Sequence, residues 1–257
     1  MNLDTQPMLF PSLKPWVAGR LAQTRGHRRI LCALFTLGAT SVSAQELSER
    51  LAACAACHGK HGEGLMGSEY YPHLAGKPAG YLFEQLTGFR DGRRQNANMT
   101  WLVQFADDAY LREIAAHYAA ETPRTRAADT GAEALTPERR KRAEDLVQHG
   151  DPARGVPACM DCHGKALTGL EPGIPALLAL PADYVVAQLG SWRSGIRRSV
   201  PPDCMHEVAN AISADDIRAV ATWLSQQSNS ESARPAPAGS FEPPKACGSL
   251  SHAEASP

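Results

Sequence analysis

The stretch Cys54-Ala-Ala-Cys57-His58-Gly59 recurs 105 positions later as Cys159-Met-Asp-Cys162-His163-Gly164. Both follow the pattern Cys-x-x-Cys-His, which is the attachment signature of haem c. On one helical turn the two thiols face the same side and can each bond a vinyl group of the haem, while the histidine can ligate the iron. The sequence therefore predicts two covalently bound haem c groups, attached through Cys54, Cys57, Cys159 and Cys162, with His58 and His163 as iron ligands.

Two other uses of paired cysteines fit this sequence less well. A thioredoxin-like redox pair follows a strand in a βαβ unit, which the sequence lacks, and needs no histidine directly after it. A zinc ribbon places its two cysteine pairs about 15–20 residues apart, whereas these pairs are about a hundred residues apart. The haem interpretation is favoured.

The repeat extends far beyond the two motifs. Residues 81–92 match residues 184–195, and residues 111–118 match residues 217–224. Apolar residues in these blocks recur at three- to four-residue spacing, and no long alternating strand pattern is present. The sequence predicts an all-α protein of two tandem copies, and its expected divisions are 45–120 for the first domain, 121–135 for a linker and 136–227 for the second domain.

Local signals also predict one helix in detail. Thr136 can cap a helix N-terminus, Pro137 suits the first helical position, and an acidic residue follows. A helix from about Pro137 to Gln148 is expected at the start of the second copy. Asp215 and Asp216 supply the acidic first turn that the helix dipole favours at the start of the last helix.

The sixth iron ligand has no spacing rule, but the duplication suggests candidates. Met99 lies 41 residues after His58, and Met205 lies 42 residues after His163. Equivalent positions in two copies argue for equivalent roles, so Met99 and Met205 are the predicted axial ligands. Met66 is a rival in the first copy, and His206 and Cys204 are rivals in the second.

The two ends of the chain differ in composition from the repeats. Residues 1–44 contain Arg28-Arg29, an apolar run over 30–39 and small residues up to Ala44, which predicts a signal peptide cleaved near Ala44 and export to the periplasm. The run is shorter than a membrane-spanning helix, although a retained N-terminal anchor stays open. Residues 228–257 are rich in Ser, Ala and Pro and predict a disordered tail. The net charge of −1 argues against nucleic-acid binding.

Residues 45–227 resemble the cytochrome c4 family. The resemblance rests on CAACHG, YLFEQLTGFRDGRR and NANM in the first copy, and on RGVPACMDCHG and YVVAQLGSWRSGIRR in the second. It implies two class I cytochrome c domains related by a pseudo-twofold axis, with haems close enough for internal electron transfer. It also implies that the carbonyls of Pro72 and Pro175 accept a hydrogen bond from the two ligand histidines.

The resemblance implies a periplasmic electron carrier with no open catalytic site. Its partners would be a redox-protein donor, either a quinol-oxidising complex or a dehydrogenase, and an acceptor such as a terminal oxidase or reductase. The protein would associate with a membrane only through such partners or through a retained N-terminal anchor. The alternatives are a cytochrome subunit of a larger dehydrogenase or oxidase and a di-haem peroxidase, which needs one five-coordinate iron.

Two features depart from the family pattern or have no assigned role. Cys204 and Cys247 are additions, and we expect that they could form a disulfide in an oxidising compartment. Arg93-Arg94 and Arg197-Arg198 occupy equivalent loops before the two methionines. They could screen haem propionates, contact an acidic partner or belong to a solvated loop.

Overall fold

The computed structural model describes residues 47, 49–65, 71–123, 125, 134–178, 180–229 and 233–250. The chain divides into two compact units, Met1–Ser48 and Glu49–Pro257, and the helices below belong to the second. The expected signal peptide (1–44), most of the expected linker (121–135) and Met66 lie outside the described residues.

Helices account for the regular structure of both copies. The first copy contains α1 (Ala52–His58), α2 (Ala79–Arg90), α3 (Ala97–Val103) and α4 (Asp108–Ala120). The second contains α5 (Pro137–Gln148), α6 (Cys159–His163), α7 (Ala182–Arg193), α8 (Cys204–Ala211) and α9 (Ala214–Ser225). Within the described ranges, β-pairing is limited to isolated bridges. The all-α prediction is confirmed.

Side-chain caps start several of these helices. The hydroxyl of Thr136 accepts a hydrogen bond from the backbone N–H of Arg139 at 3.3 Å, which caps the start of α5. Both bounds of this helix, Pro137 and Gln148, agree with the prediction. Ser213 caps α9 by accepting from the N–H of Asp216 at 3.0 Å. Each cap satisfies a backbone donor that the helix itself leaves without a partner.

Each copy has a small apolar core. In the first copy α2 packs against α4 and α3, and in the second α9 packs against α5 and α7. The most deeply buried large side chains include Leu111 and Tyr118 in the first copy and Leu146 and Leu224 in the second. Packing of α9 on α5 is reinforced by polar contacts, because Arg142 of α5 donates to both carboxylate oxygens of Asp216, at 3.0 and 3.1 Å.

The prediction of a disordered tail is wrong for residues 233–250. Cys247 forms a disulfide with Cys204, as the sequence allowed, and Ala236 forms a parallel bridge with Leu170. Phe241 lies close to Gly164, because a Cβ atom placed on Gly164 would be 3.8 Å from the ring of Phe241. Composition alone missed this order, because the contacts that create it come from distant parts of the chain.

Candidate haem sites

The first candidate iron ligand is a buried histidine at the end of α1. His58 is 7% exposed, and its Nδ1 donates a hydrogen bond to the carbonyl oxygen of Pro72 at 2.8 Å. Burial lowers the pKa of His58, although the Pro72 carbonyl opposes this by favouring the charged form. With the proton held on Nδ1, the neutral ring keeps an electron pair on Nε2 for a metal.

The second histidine repeats this geometry. His163 is also 7% exposed, and its Nδ1 donates to the carbonyl oxygen of Pro175 at 2.8 Å. Burial lowers the pKa of His163 as well. The loop between His163 and Pro175 contains Gly169, which has a φ of +93°. A Cβ atom added to this glycine would lie 2.4 Å from the carbonyl oxygen of Ile174. The positive φ and the close backbone approach together explain a glycine here.

The four motif cysteines lie at half-buried positions and form no disulfides: Cys54, Cys57, Cys159 and Cys162. Burial raises the pKa of the Cys159 thiol to about 12, and it also raises the pKa of Cys54 and Cys162. Because α1 and α6 carry each pair at i and i+3, both thiols of a pair lie on one turn beside the histidine. The residues therefore fit covalent attachment of a haem in each copy.

A cavity in the second copy brings the predicted ligands together. Cys159, Cys162 and His163 line it together with Met205. The rest of its wall is largely apolar and includes Leu146, Val185, Leu189, Trp192, Val220 and Leu224. The buried Nε1 of Trp192 has no hydrogen-bond partner in the described part of the chain. An apolar cavity with one orphan donor suits a porphyrin ring that carries propionate oxygens at its edge.

The rivals of Met205 are engaged elsewhere. Cys204 is bonded to Cys247, so it offers no thiolate to an iron. His206 is exposed, and its Nδ1 donates to the carbonyl oxygen of Trp192 at 3.0 Å. In the first copy Met99 is half-buried on α3, where its N–H donates to the side chain of Asn96 at 3.1 Å. The contacts among described residues do not join Met99 to His58.

A symmetric polar network connects the two copies. Arg94 donates to Oε1 of Gln85 at 3.0 Å and to Oε1 of Gln188 at 2.8 Å. Arg197 donates to the same two oxygens, at 2.8 Å to Gln85 and 2.9 Å to Gln188. Each glutamine therefore accepts from one arginine of its own copy and one of the other. This exchange is the pattern expected across a pseudo-twofold axis.

The same network corrects the idea of a solvated arginine loop. Arg197 is 5% exposed and stacks 3.8 Å above the ring of Trp192, while Arg94 is half-buried over Phe89. Backbone pairing links the two loops, since the N–H of Arg198 donates to the carbonyl oxygen of Arg93 at 2.7 Å. The arginine loops hold the copies together.

Two buried cations of this region, Lys77 and Arg197, form no ion pair with a carboxylate among the described residues. The one buried carboxylate that the structure describes in the same wall, Glu84, pairs with Arg93 at 3.9 Å. Arg197 and Lys77 both line the cavity of the second copy, and burial lowers the pKa of each. Because a buried charge without a paired counter-charge is costly and Glu84 pairs with another arginine, a further anionic group is expected nearby. The carboxylates of haem propionates have the required charge. Sequence reasoning missed Lys77, because the equivalent position in the second copy is Leu180.

Comparison with known proteins agrees with this geometry. The thiosulfate dehydrogenase electron acceptor of Thiomonas intermedia is 37% identical over 206 residues, covering 78% of this chain and 91% of that protein. Cytochrome c4 of Thiocapsa roseopersicina is 35% identical, covering 66% of this chain and 85% of its own. The chain belongs to the cytochrome c4 family. No protein-family model matches it.

The solved structures show the same architecture. Reduced cytochrome c4 from Pseudomonas stutzeri superposes with a TM-score of 0.60 at 29% identity, covering 71% of this chain and 97% of that one. As a cytochrome c4, the protein has two class I cytochrome domains, carries two covalently bound haem c groups and transfers electrons. No helix in the described ranges is long and apolar enough to cross a membrane.

Proposed function

We propose that this cytochrome c4 shuttles electrons in the periplasm from a dehydrogenase to a terminal oxidase or reductase. The haem-binding domains are residues 45–120 and 136–227. The dehydrogenase is one that oxidises thiosulfate, because a relative at 37% identity is named as the electron acceptor of thiosulfate dehydrogenase. Export rests on the N-terminal segment, which has the composition of a signal peptide.

In this proposal His58 and Met99 would hold the iron of the first haem, and His163 and Met205 would hold the iron of the second. The observation that carries it is that His163, Met205 and the two motif cysteines of the second copy line the same cavity. Haem c, when bound, supplies an iron that gains and loses one electron. Met99 is assigned through its equivalent place in the duplicated domain.

The protein side chains set the conditions for this transfer. The Pro72 and Pro175 carbonyls fix the proton on Nδ1 of each histidine, so the rings keep one orientation. The apolar wall of the cavity excludes water, and a methionine sulfur favours a higher potential than a second histidine would. With a histidine and a methionine assigned to each iron, no coordination position is left for a substrate, so we assign no catalysis to the protein.

The ligand assignment is tested with Met205→His and Met99→His variants. Each is expected to move one of the two haem potentials to a lower value and to remove half of the near-infrared sulfur-to-iron absorption. Met160→Leu is the matched control, because Met160 lies between the two haem cysteines and should leave both signals unchanged. Two unchanged potentials in Met205→His would contradict the assignment.

The donor is tested by mixing the oxidised protein with a purified thiosulfate dehydrogenase and thiosulfate. Reduction of both haems, followed by their visible absorption, is the expected result. A purified quinol-oxidising complex with quinol forms the comparison. Reduction only by the quinol-oxidising complex would overturn the choice of donor and leave the electron-carrier role intact.

A further inference from the structure

The C-terminal segment 233–250, here called the strap, contacts both walls of the second cavity. At its start the N–H of Ala236 donates to the carbonyl oxygen of Gly169, and its carbonyl accepts from the N–H of Glu171, both at 2.9 Å. These residues belong to the loop that follows the haem-binding motif and ends at Pro175. The strap is thus fixed to the histidine side of the cavity.

The other end of the strap is fixed to the methionine side. Cys247 is bonded to Cys204, the first residue of α8, and Met205 is the next residue. Lys245 forms an ion pair with Glu207 of the same helix. The N–H of Gly248 donates to the carbonyl oxygen of Pro202 at 2.9 Å, just before α8. One covalent bond and two polar contacts therefore hold the first turns of this helix.

The disulfide end of the strap also forms part of the cavity wall. Lys245, Cys247 and Ser249 line the same cavity as His163 and Met205. Cys247 is only 7% exposed, so its side chain is part of the packed interior.

The first copy has no equivalent of this arrangement among the described residues. Asn98 of α3 occupies the position that corresponds to Cys204, so no disulfide can form there. Trp101 of α3 is 72% exposed, and Phe105, which follows the end of that helix, is 93% exposed. The corresponding residues of α8 are Glu207 and Ala211. The two haem sites therefore differ on the methionine side, although the duplication made them alike on the histidine side.

We propose that the strap is a positioning element for the second haem. By pinning the N-terminus of α8 through the disulfide, it keeps Met205 within the cavity and limits the access of water and small ligands. This inference rests on the proposed function, since it takes Met205 as the iron ligand. Solvent access and the polarity around a haem set its potential, so the strap gives the second haem a property that the first lacks.

The test compares the wild-type protein with Cys204→Ser/Cys247→Ser. Both cysteines are replaced, because a free Cys204 thiol beside Met205 could itself bind the iron. One of the two haem potentials is expected to shift to a lower value. Imidazole is expected to displace one methionine per chain at a concentration about tenfold lower than in the wild type, seen as loss of half of the sulfur-to-iron band.

Controls separate positioning from general destabilisation. Ser240→Ala changes an exposed strap residue and keeps the disulfide, so it should behave as the wild type. Lys245→Ala keeps the disulfide but removes the ion pair with Glu207, and a smaller shift in the same direction is expected. The Lys245→Ala variant therefore tests the positioning role of the strap even if the double cysteine variant fails to fold. A haem content of two per chain and an unchanged helical circular dichroism signal establish folding.

Two results would overturn the proposal. Unchanged potentials and imidazole binding in the double variant would show that the disulfide merely tethers a tail. Equal changes at both haems would show a global loss of stability. Failure of the proposed function is distinguished beforehand, because a wild-type protein with the sulfur-to-iron band of only one haem would refute the Met205 ligand itself.

Discussion

Replacing Asp216 by asparagine is expected to destabilise the second domain specifically. Asp216 is 8% exposed in the first turn of α9, and both of its carboxylate oxygens accept hydrogen bonds from Arg142. Arg154 donates to the same carboxylate at 3.2 Å. The variant Asp216→Asn keeps the shape of the side chain but removes its charge and one acceptor oxygen.

The expected loss follows from these contacts. A hydrogen bond to a charged group contributes about 1.5–3 kcal/mol, and an acidic residue in the first helical turn adds about 0.3–1 kcal/mol. Arg142 is 37% exposed and keeps a second partner, Asp151, at 2.8 Å, so part of the loss is recovered. We therefore expect the free energy of unfolding of the second domain to fall by about 2–3 kcal/mol.

Asp215→Asn is the matched control for this prediction. Asp215 is the preceding residue, its side chain is 81% exposed, and its ion pair within the described ranges is with Arg218. Exposed pairs of this kind contribute less than about 1 kcal/mol. Urea unfolding of the haem-loaded protein, followed by circular dichroism, measures both variants. An Asp216→Asn loss no larger than that of Asp215→Asn would refute the reasoning.

Three further results are expected. Gly169→Ala should lower the free energy of unfolding, measured in urea, by more than about 2 kcal/mol, because the new Cβ would meet a carbonyl oxygen. Gly195→Ala is the control: this glycine has a φ of +75° but lies in open space, so the loss should be about 1 kcal/mol. Arg197→Met should lower at least one haem potential in a spectroelectrochemical titration, since it removes a buried positive charge, and the exposed Arg193→Met should not. The difference in stability between wild type and Asp216→Asn should be complete above about pH 4 and should vanish as the pH falls further, because Arg142 holds the pKa of Asp216 below its ordinary value. Unfolding curves recorded at a series of acidic pH values measure this difference.

Local signals explain what the sequence could predict. The start of α5 followed from Thr136 and Pro137, because a capping residue acts on the nearest backbone groups. The haem motifs could be recognised because they are local as well: their two thiols and their histidine lie on one helical turn. The duplication extended these predictions to residues that are far apart in the sequence, such as Met99 and Met205.

Long-range contacts explain what the sequence could not predict. The order of the strap depends on a disulfide between residues separated by 43 positions and on backbone contacts of Ala236 with Gly169 and Glu171. The two cysteines suggested the disulfide, but the Ser- and Pro-rich composition carries no sign of the backbone contacts. The burial of Arg197 likewise depends on Gln85 and Tyr81 of the other copy. One sequence signal for this contact between the copies was available. Gln85 and Gln188 are polar residues at equivalent positions of the two copies, on a helix face that is otherwise apolar.

The most direct test of the account is a redox titration of the wild-type protein, with the visible haem bands and the near-infrared sulfur-to-iron band recorded together. We predict two haems per chain at high positive potential, with a near-infrared band of the intensity expected for two methionine ligands. A haem at low potential, with only half of that band, would contradict the assignment of a histidine and a methionine to each iron.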